Sequence, residues 1–399
     1  MKNEKIAVLR GPDRVRQRPA VIFSSDGIEG VACAVRSLLE IFVVEAQLGW
    51  CQHLCVRQNG AELTISGDDR GIELGADTGN DAVWKKLFCE ISAAPAYAPN
   101  DSAFSFGLQD PAHDALYADE KEQTAGCLPD EIGLWELCAI QCVSEWMEVQ
   151  AKRNGRKTTL RFEKGYPIGA ACTVKTEEDS GTRFRFRPDR TVFTETTLPE
   201  NFFRETLNAF AALSPGLQCR YINDELGTEE VFSYPSGLQD YVEAAEAPVP
   251  AYVRKIRAEG KERYNRAQYE ACVEVAISYA PCQGSIKCFH NFRELHWGGS
   301  HCQILKEQLC RAFNDAFRRH MADAEELTFE QLAPHLRMVL ATWCTPRCTV
   351  WGSGARESIE NRLIADMTYD AAGSELCRYV FAHRETFREV LDMLHDGKN

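Results

Sequence analysis

The chain has 399 residues, of which 44% are hydrophobic and 26% charged, with a formal net charge of −14. That composition describes a globular protein long enough for two domains, and its acidic balance opposes strong, unspecific phosphate binding by the chain as a whole. No apolar run approaches the roughly 20 residues a membrane helix needs, and "MKNEKIAVLRGPDRVRQRP" lacks the apolar core of a secretory signal, so a cytoplasmic protein without a membrane partner is expected. Seventeen cysteines are present without a single C-x-x-C pair. Four convergent nitrogen or sulfur ligands are usual for structural zinc, and neither "CQHLC" (Cys51, His53, Cys55) nor "CTPRC" (Cys344, Cys348) has an evident second pair. No metal is expected, and the cysteines read as reduced, mostly buried thiols.

An arginine-rich opening segment leads to a helix from about Gly27 to Gln47, closed by Gly49 as a C-cap. Within it "SLLEIFVVEAQLG" carries few polar groups, and Ser37, Ile41 and Glu45, spaced four apart, stack on one face. Two strands follow, "HLCVRQ" and "ELTISG", joined at Asn59-Gly60, a strong hairpin signal. A helix over 81–93 precedes a polar, acidic region at 95–131, long enough to be a lid or disordered. A helix over 133–147 then leads to strands "EVQAKR", "KTTLRFEKG" and "GTRFRFRPD". The last places Arg183, Arg185 and Arg187 on one face and Phe184 and Phe186 on the other, either a solvated face or a nucleic-acid contact. "VRKIRAEGKERYNRAQ" is a second basic stretch with the same two readings. After a boundary near 215 come "QCRYIND", "EEVFSYP", "CVEVAISYA" and "SIKCFHNFRELHWGGSH", then a helix over 301–320. Both halves are expected to be α+β with mixed sheets.

Six ordered stretches resemble the ATPase and transducer region of the gyrase B and topoisomerase IV B subunits of type IIA DNA topoisomerases. They are "LRGPDRVRQRPAVIFSS", "VEAQLG", "DDRGIELG", "SGTRFRFRPDRTVFTETT", "FSYPSGLQDYV" and "NFRELHWGGSH". The resemblance implies a GHKL-type ATPase sandwich over 1–215, a mixed sheet with helices on one face. A transducer domain of ribosomal S5-like fold would fill 216–399, and the TOPRIM domain of DNA cleavage would be absent, so the chain alone would not cut or rejoin DNA. It further implies ATP and magnesium as cofactors of a working site. The implied partners are a second copy or a topoisomerase subunit, with DNA reached through the transducer. Only eight residues precede Leu9, so the family's exchange of N-terminal arms is expected to be weak.

The family's hydrolytic residues do not carry over. Its general base aligns with Ser37 and its magnesium-holding Asn with Ile41; serine has no basicity near neutrality and isoleucine offers no oxygen. Glu40 is a candidate displaced base. The adenine-binding Asp aligns with Gly67 when the register is ungapped, or with Asp68 if one residue is deleted from the loop. In place of the phosphate-cradling "G-G-L-H-G-V-G" stands "DEIGLWE" (130–136), whose three carboxylates at a helix start would repel triphosphate. The lid before it, "DALYADEKEQTAG", is acidic too, and Arg356 is the candidate substitute for the transducer's phosphate-binding lysine. Glu45, Arg70, Gly71, Ile72 and Thr182 are retained and, with Asp68, outline a vestigial nucleotide pocket. The sequence thus points to a non-hydrolysing binding or regulatory module in DNA topology. The alternatives are an ATP-hydrolysing topoisomerase subunit with a divergent site, and a decoy for gyrase-directed partners.

Overall fold

The computed structural model describes residues 11–74, 83–89, 137–243, 249–261, 268–279, 284–317, 326–344, 348–352 and 357–387. They fall into two compact units that divide between Ser233 and Tyr234.

In the first unit, helical turns at Asp13–Arg16 and Ala20–Phe23 precede α1 (Ile28–Gln47). The remaining helices are α2 (Val83–Cys89), α3 (Leu137–Cys142) and α4 (Glu200–Leu213). The strands are β1 (His53–Asn59), β2 (Glu62–Gly67), β3 (Ser144–Arg153), β4 (Arg156–Glu163), β5 (Tyr166–Pro167), β6 (Cys172–Lys175), β7 (Gly181–Pro188), β8 (Gln218–Asn223) and β9 (Thr228–Ser233). They form one nine-stranded sheet in the order β5-β4-β3-β7-β2-β1-β8-β9, with β6 also on β4. Alternation decides which side chains enter the core: Leu54 and Val56, Leu63 and Ile65, and Phe184 and Phe186 are all buried on one face. That face meets α1, where the Phe42 ring packs edge-on to Phe184 with centroids 6.1 Å apart.

The opposite face of the sheet carries charge. Arg183 pairs with Glu148 at 3.4 Å, Arg185 with Glu62 at 2.5 Å, and Arg187 with Glu62 at 3.6 Å and Glu145 at 3.9 Å. The alternation in "TRFRFRPDR" is therefore a core face backed by a cross-strand ladder of ion pairs.

In the second unit, β10 (Tyr252–Lys261), β11 (Gln268–Tyr279), β12 (Ser285–His290), β13 (Arg293–Glu294) and β15 (Leu336–Cys344) form a sheet in the order β10-β11-β15-β12-β13. Two-residue strands β14 (Gly298–Gly299) and β16 (Ser358–Ile359) pair separately. The helices α5 (Ser300–Phe317), α6 (Arg362–Ala372) and α7 (Ser374–Ala382) bury Leu305, Leu309, Phe313, Ile364, Met367 and Leu376 in a common core with that sheet.

Two expectations change. The boundary expected near 215 lies at 233/234, because β8 runs parallel to β1 and carries β9 into the first sheet. The helix expected over 133–147 is helical only at Leu137–Cys142 among its described residues. From Ser144 the chain is a strand, drawn into the sheet by Met147 and Val149, which alternate into the core. The basic stretch from Val253 is largely β10, an edge strand whose Arg254, Lys255 and Arg257 pair with Glu375, Glu274 and Glu270. Central strand β15 has no counterpart among the expected elements, because it is apolar on both faces and shows no alternation.

Candidate functional site

The site expected from the sequence lies where α1 packs on the central strands β2 and β7 of the first sheet. Ser37 is buried in α1, and its Oγ donates to the Cys33 carbonyl at 3.1 Å, the back-bond typical of a helical serine. Ile41 is 4% exposed and part of the core, while Glu40 is buried one turn from Ser37. Beside them the Phe42 ring fills the space left by a missing side chain: a Cβ on Gly67 would come within 2.4 Å of that ring and 3.3 Å of the Cys51 sulfur. This helical face packs.

The strand side of the site is different. Asp69, 2% exposed, accepts hydrogen bonds from Thr182 N at 2.7 Å, Thr182 Oγ1 at 2.7 Å and Gly71 N at 3.0 Å. Thr182 Oγ1 in turn accepts from Ile72 N at 3.0 Å. Burial, together with the neighbouring Glu45 charge, pushes the Asp69 carboxyl up to about 6, against the pull of the Thr182 and Gly71 hydrogen bonds. Gly71 sits at φ +80°, where a Cβ would meet the Lys152 carbonyl at 2.2 Å, so the turn that brings its N–H to Asp69 requires glycine.

At the rim, Arg70 grips Glu45 through two parallel bonds, Nε to Oε2 at 2.9 Å and a terminal nitrogen to Oε1 at 2.8 Å. Its guanidinium lies 5.3 Å from the centroid of the Trp50 ring. Next to Gly71 and Ile72 opens a cavity of about 360 Å³ lined by Leu74, Arg153, Asn154, Arg156 and Thr158. Arg153 closes on this turn, bonding the Gly71 carbonyl at 3.3 Å.

Of the predicted pocket residues, the structure brings Glu45, Arg70, Gly71, Ile72 and Thr182 together and leaves Asp68 outside. Asp68 accepts from the backbone of Gln52 and His53, each at 2.8 Å, and its Oδ2 lies 2.6 Å from the His53 ring. Partial burial raises its carboxyl, but the hydrogen bonds from His53 and Gln52 outweigh that and hold it below the usual range. The carboxylate facing the site is Asp69, which neither sequence register selected. Strand parity was the available signal: Leu63, Ile65 and Gly67 point inward, and the next residue of that series is Asp69. The phosphate-loop stretch 130–136, the acidic lid and Arg356 lie outside the described residues. Among the described residues no group of His, Cys, Asp and Glu is placed to hold a metal ion. No described helix is long and apolar enough to cross a membrane.

The family model for DNA gyrase B matches residues 237–399. The DNA gyrase B protein of Thermotoga maritima is 23% identical over an alignment covering 99% of this chain, and that of Halalkalibacterium halodurans is 24% identical over 97%. The chain spans 59% and 57% of the length of these relatives. Among solved structures, the 43K ATPase domain of Thermus thermophilus gyrase B matches with a TM-score of 0.68 at 20% identity, covering 98% of this chain and 95% of that one. The topoisomerase IV ATP-binding domain of Francisella tularensis matches with a TM-score of 0.67 at 14% identity, covering 97% and 96%. At such identities the structural likeness speaks for fold alone, and it bears out the α+β, GHKL-type architecture. Fold, family model and sequence relatives agree: this chain is similar to DNA gyrase B proteins along its length, and its C-terminal part matches the DNA gyrase B family model.

Proposed function

We propose that this chain is a gyrase-B-like ATPase–transducer module that does not turn over ATP and acts as a binding or regulatory module in DNA topology. The observation that carries the reading is the packed face of α1. Hydrolysis needs a group that takes a proton from water and a ligand that holds magnesium against the phosphates. At the two positions where the family supplies them stand a back-bonded Ser37 and a core Ile41.

Loss of chemistry does not require loss of recognition. A buried carboxylate at Asp69, supported by Thr182 and Gly71, is an acceptor suited to the exocyclic amino group of a purine. We therefore place weak nucleotide binding within the reading and assign turnover to the rival one, an active subunit with a divergent site. Partners follow the resemblance: a second copy of the chain or a topoisomerase subunit.

The deciding experiment is phosphate release from ATP and magnesium by the purified chain, run beside Glu40→Ala. Release at the level of the protein-free blank in both is expected. Turnover by the parent chain that Glu40→Ala abolishes would establish the rival reading. Calorimetry with ATP at millimolar concentrations separates a binding pocket from an inert one.

A further inference from the structure

The second unit holds two thiols from different elements in direct contact. Cys288 lies on β12 and Cys302 in the first turn of α5, and both are buried. The Cys302 and Cys288 sulfurs lie 2.6 Å apart. The His301 Nε2 lies 3.5 Å from the Cys302 sulfur, and its Nδ1 is buried without a hydrogen-bond partner among the described residues. Burial lowers the His301 imidazole to about 4, which keeps it neutral at physiological pH. Space for the pair is built in: a Cβ on Gly298 would sit 2.9 Å from both the Cβ and the sulfur of Cys302.

We propose that Cys288 and Cys302 are a covalent modification site at which a peroxide oxidant joins β12 to the start of α5 through a disulfide. The Cys288 sulfur attacks one oxygen of hydrogen peroxide, breaking the O–O bond and giving a sulfenic acid and one water. The Cys302 sulfur then attacks the sulfenic sulfur, and the Cys302 thiol proton leaves with the sulfenic hydroxyl as a second water. Two thiols and one peroxide become one disulfide and two waters, two electrons passing from sulfur to oxygen. Contact with the Cys288 thiol, and then burial, raise the Cys302 thiol and favour its protonated form. The cross-link would fasten the Gly298–Gly299 strand, which leads into α5 and pairs with Ser358–Ile359, to the main sheet of this unit.

Trypsin places the two sulfurs on separate peptides with one cysteine each, 288–293 and 294–306. The folded full-length chain is treated with hydrogen peroxide, unfolded in urea with an alkylating agent, digested and mapped by mass spectrometry. A linked pair of these peptides, 2 Da lighter than their sum and released by dithiothreitol, is the expected product. It should be enriched at least tenfold over the same treatment of chain unfolded before oxidation. Oxidised chain should also melt at a higher temperature than reduced chain, a shift that Cys288→Ser removes. Recovery of both cysteines as alkylated peptides while the exposed Cys172 is oxidised would overturn the proposal. The mapping uses the unmodified sequence, so it stands even if Cys288→Ser fails to fold.

Discussion

The two walls of the candidate site have been treated differently by the sequence. On the strand side, Asp69, Thr182, Gly71 and Ile72 are locked in a satisfied hydrogen-bond network. On the helix side, Ser37, Ile41 and Phe42 have joined the apolar interior, and Phe42 has spread into the gap over Gly67. On the proposed reading, a scaffold keeps the geometry that recognises a ligand after giving up the groups that would transform it. On that reading, recognition would rest on backbone turns and buried acceptors distributed over two strands, whereas chemistry would rest on two side chains of one helix.

That contrast can be broken by mutation. Phe42→Ala should have the largest effect, costing about 4 kcal/mol by the cavity it leaves, measured by urea denaturation. Gly67→Ala should cost about 2 kcal/mol through overpacking in the parent chain, and much less in the Phe42→Ala background. Additive costs would show that the ring does not occupy the glycine's space.

Ile41→Asn should cost about 3 kcal/mol, since it buries an amide where the core holds an isoleucine. A neutral effect would mean that polar partners still line the helical wall.

Asp69 sharpens the comparison through pH. Its carboxyl titrates near 6 folded and near 3.8 unfolded, so between these values the folded chain binds the extra proton. Its contribution to stability is therefore most favourable below about 4 and is lost as pH rises through 6, a change on the order of 3 kcal/mol. Relative to Asp69→Asn, the parent chain should gain stability as pH falls from 7 to 4. A difference that stays flat would mean the carboxyl is not desolvated.

Thr182→Val should cost about 1–2 kcal/mol by leaving Asp69 and the Ile72 amide each short of a partner. At the small end, Glu62→Gln on the outer face should change stability by less than about 1 kcal/mol, because Arg185 and Arg187 remain partly hydrated there.

Much of this was legible in advance, for identifiable reasons. Asn59-Gly60 announced the β1–β2 hairpin, and the alternation around Phe184 and Phe186 announced β7, because turn chemistry and a two-residue period are local properties. The Glu45–Arg70 pair followed from the resemblance at "VEAQLG" and "DDRGIELG". Asp69 was harder, because one residue too few in "DDRG" shifts the register and only tertiary contacts with Thr182 reveal which aspartate faces inward. The unit boundary was misplaced for a related reason: the β8–β9 hairpin joins the first sheet through a parallel pairing with β1, distant in sequence. Phe42's entry into the site left no motif at all, being a matter of volume against a glycine on another element.

The ladder of ion pairs on the outer face of the first sheet has an electrical consequence. A phosphate approaching Arg183, Arg185 or Arg187 meets a carboxylate already in place at Glu148, Glu62 or Glu145. Binding there would exchange one anion for another and release few condensed counterions from a nucleic acid. Polyanion association through this sheet should accordingly show a shallow dependence on salt, as an electrically quiet surface would.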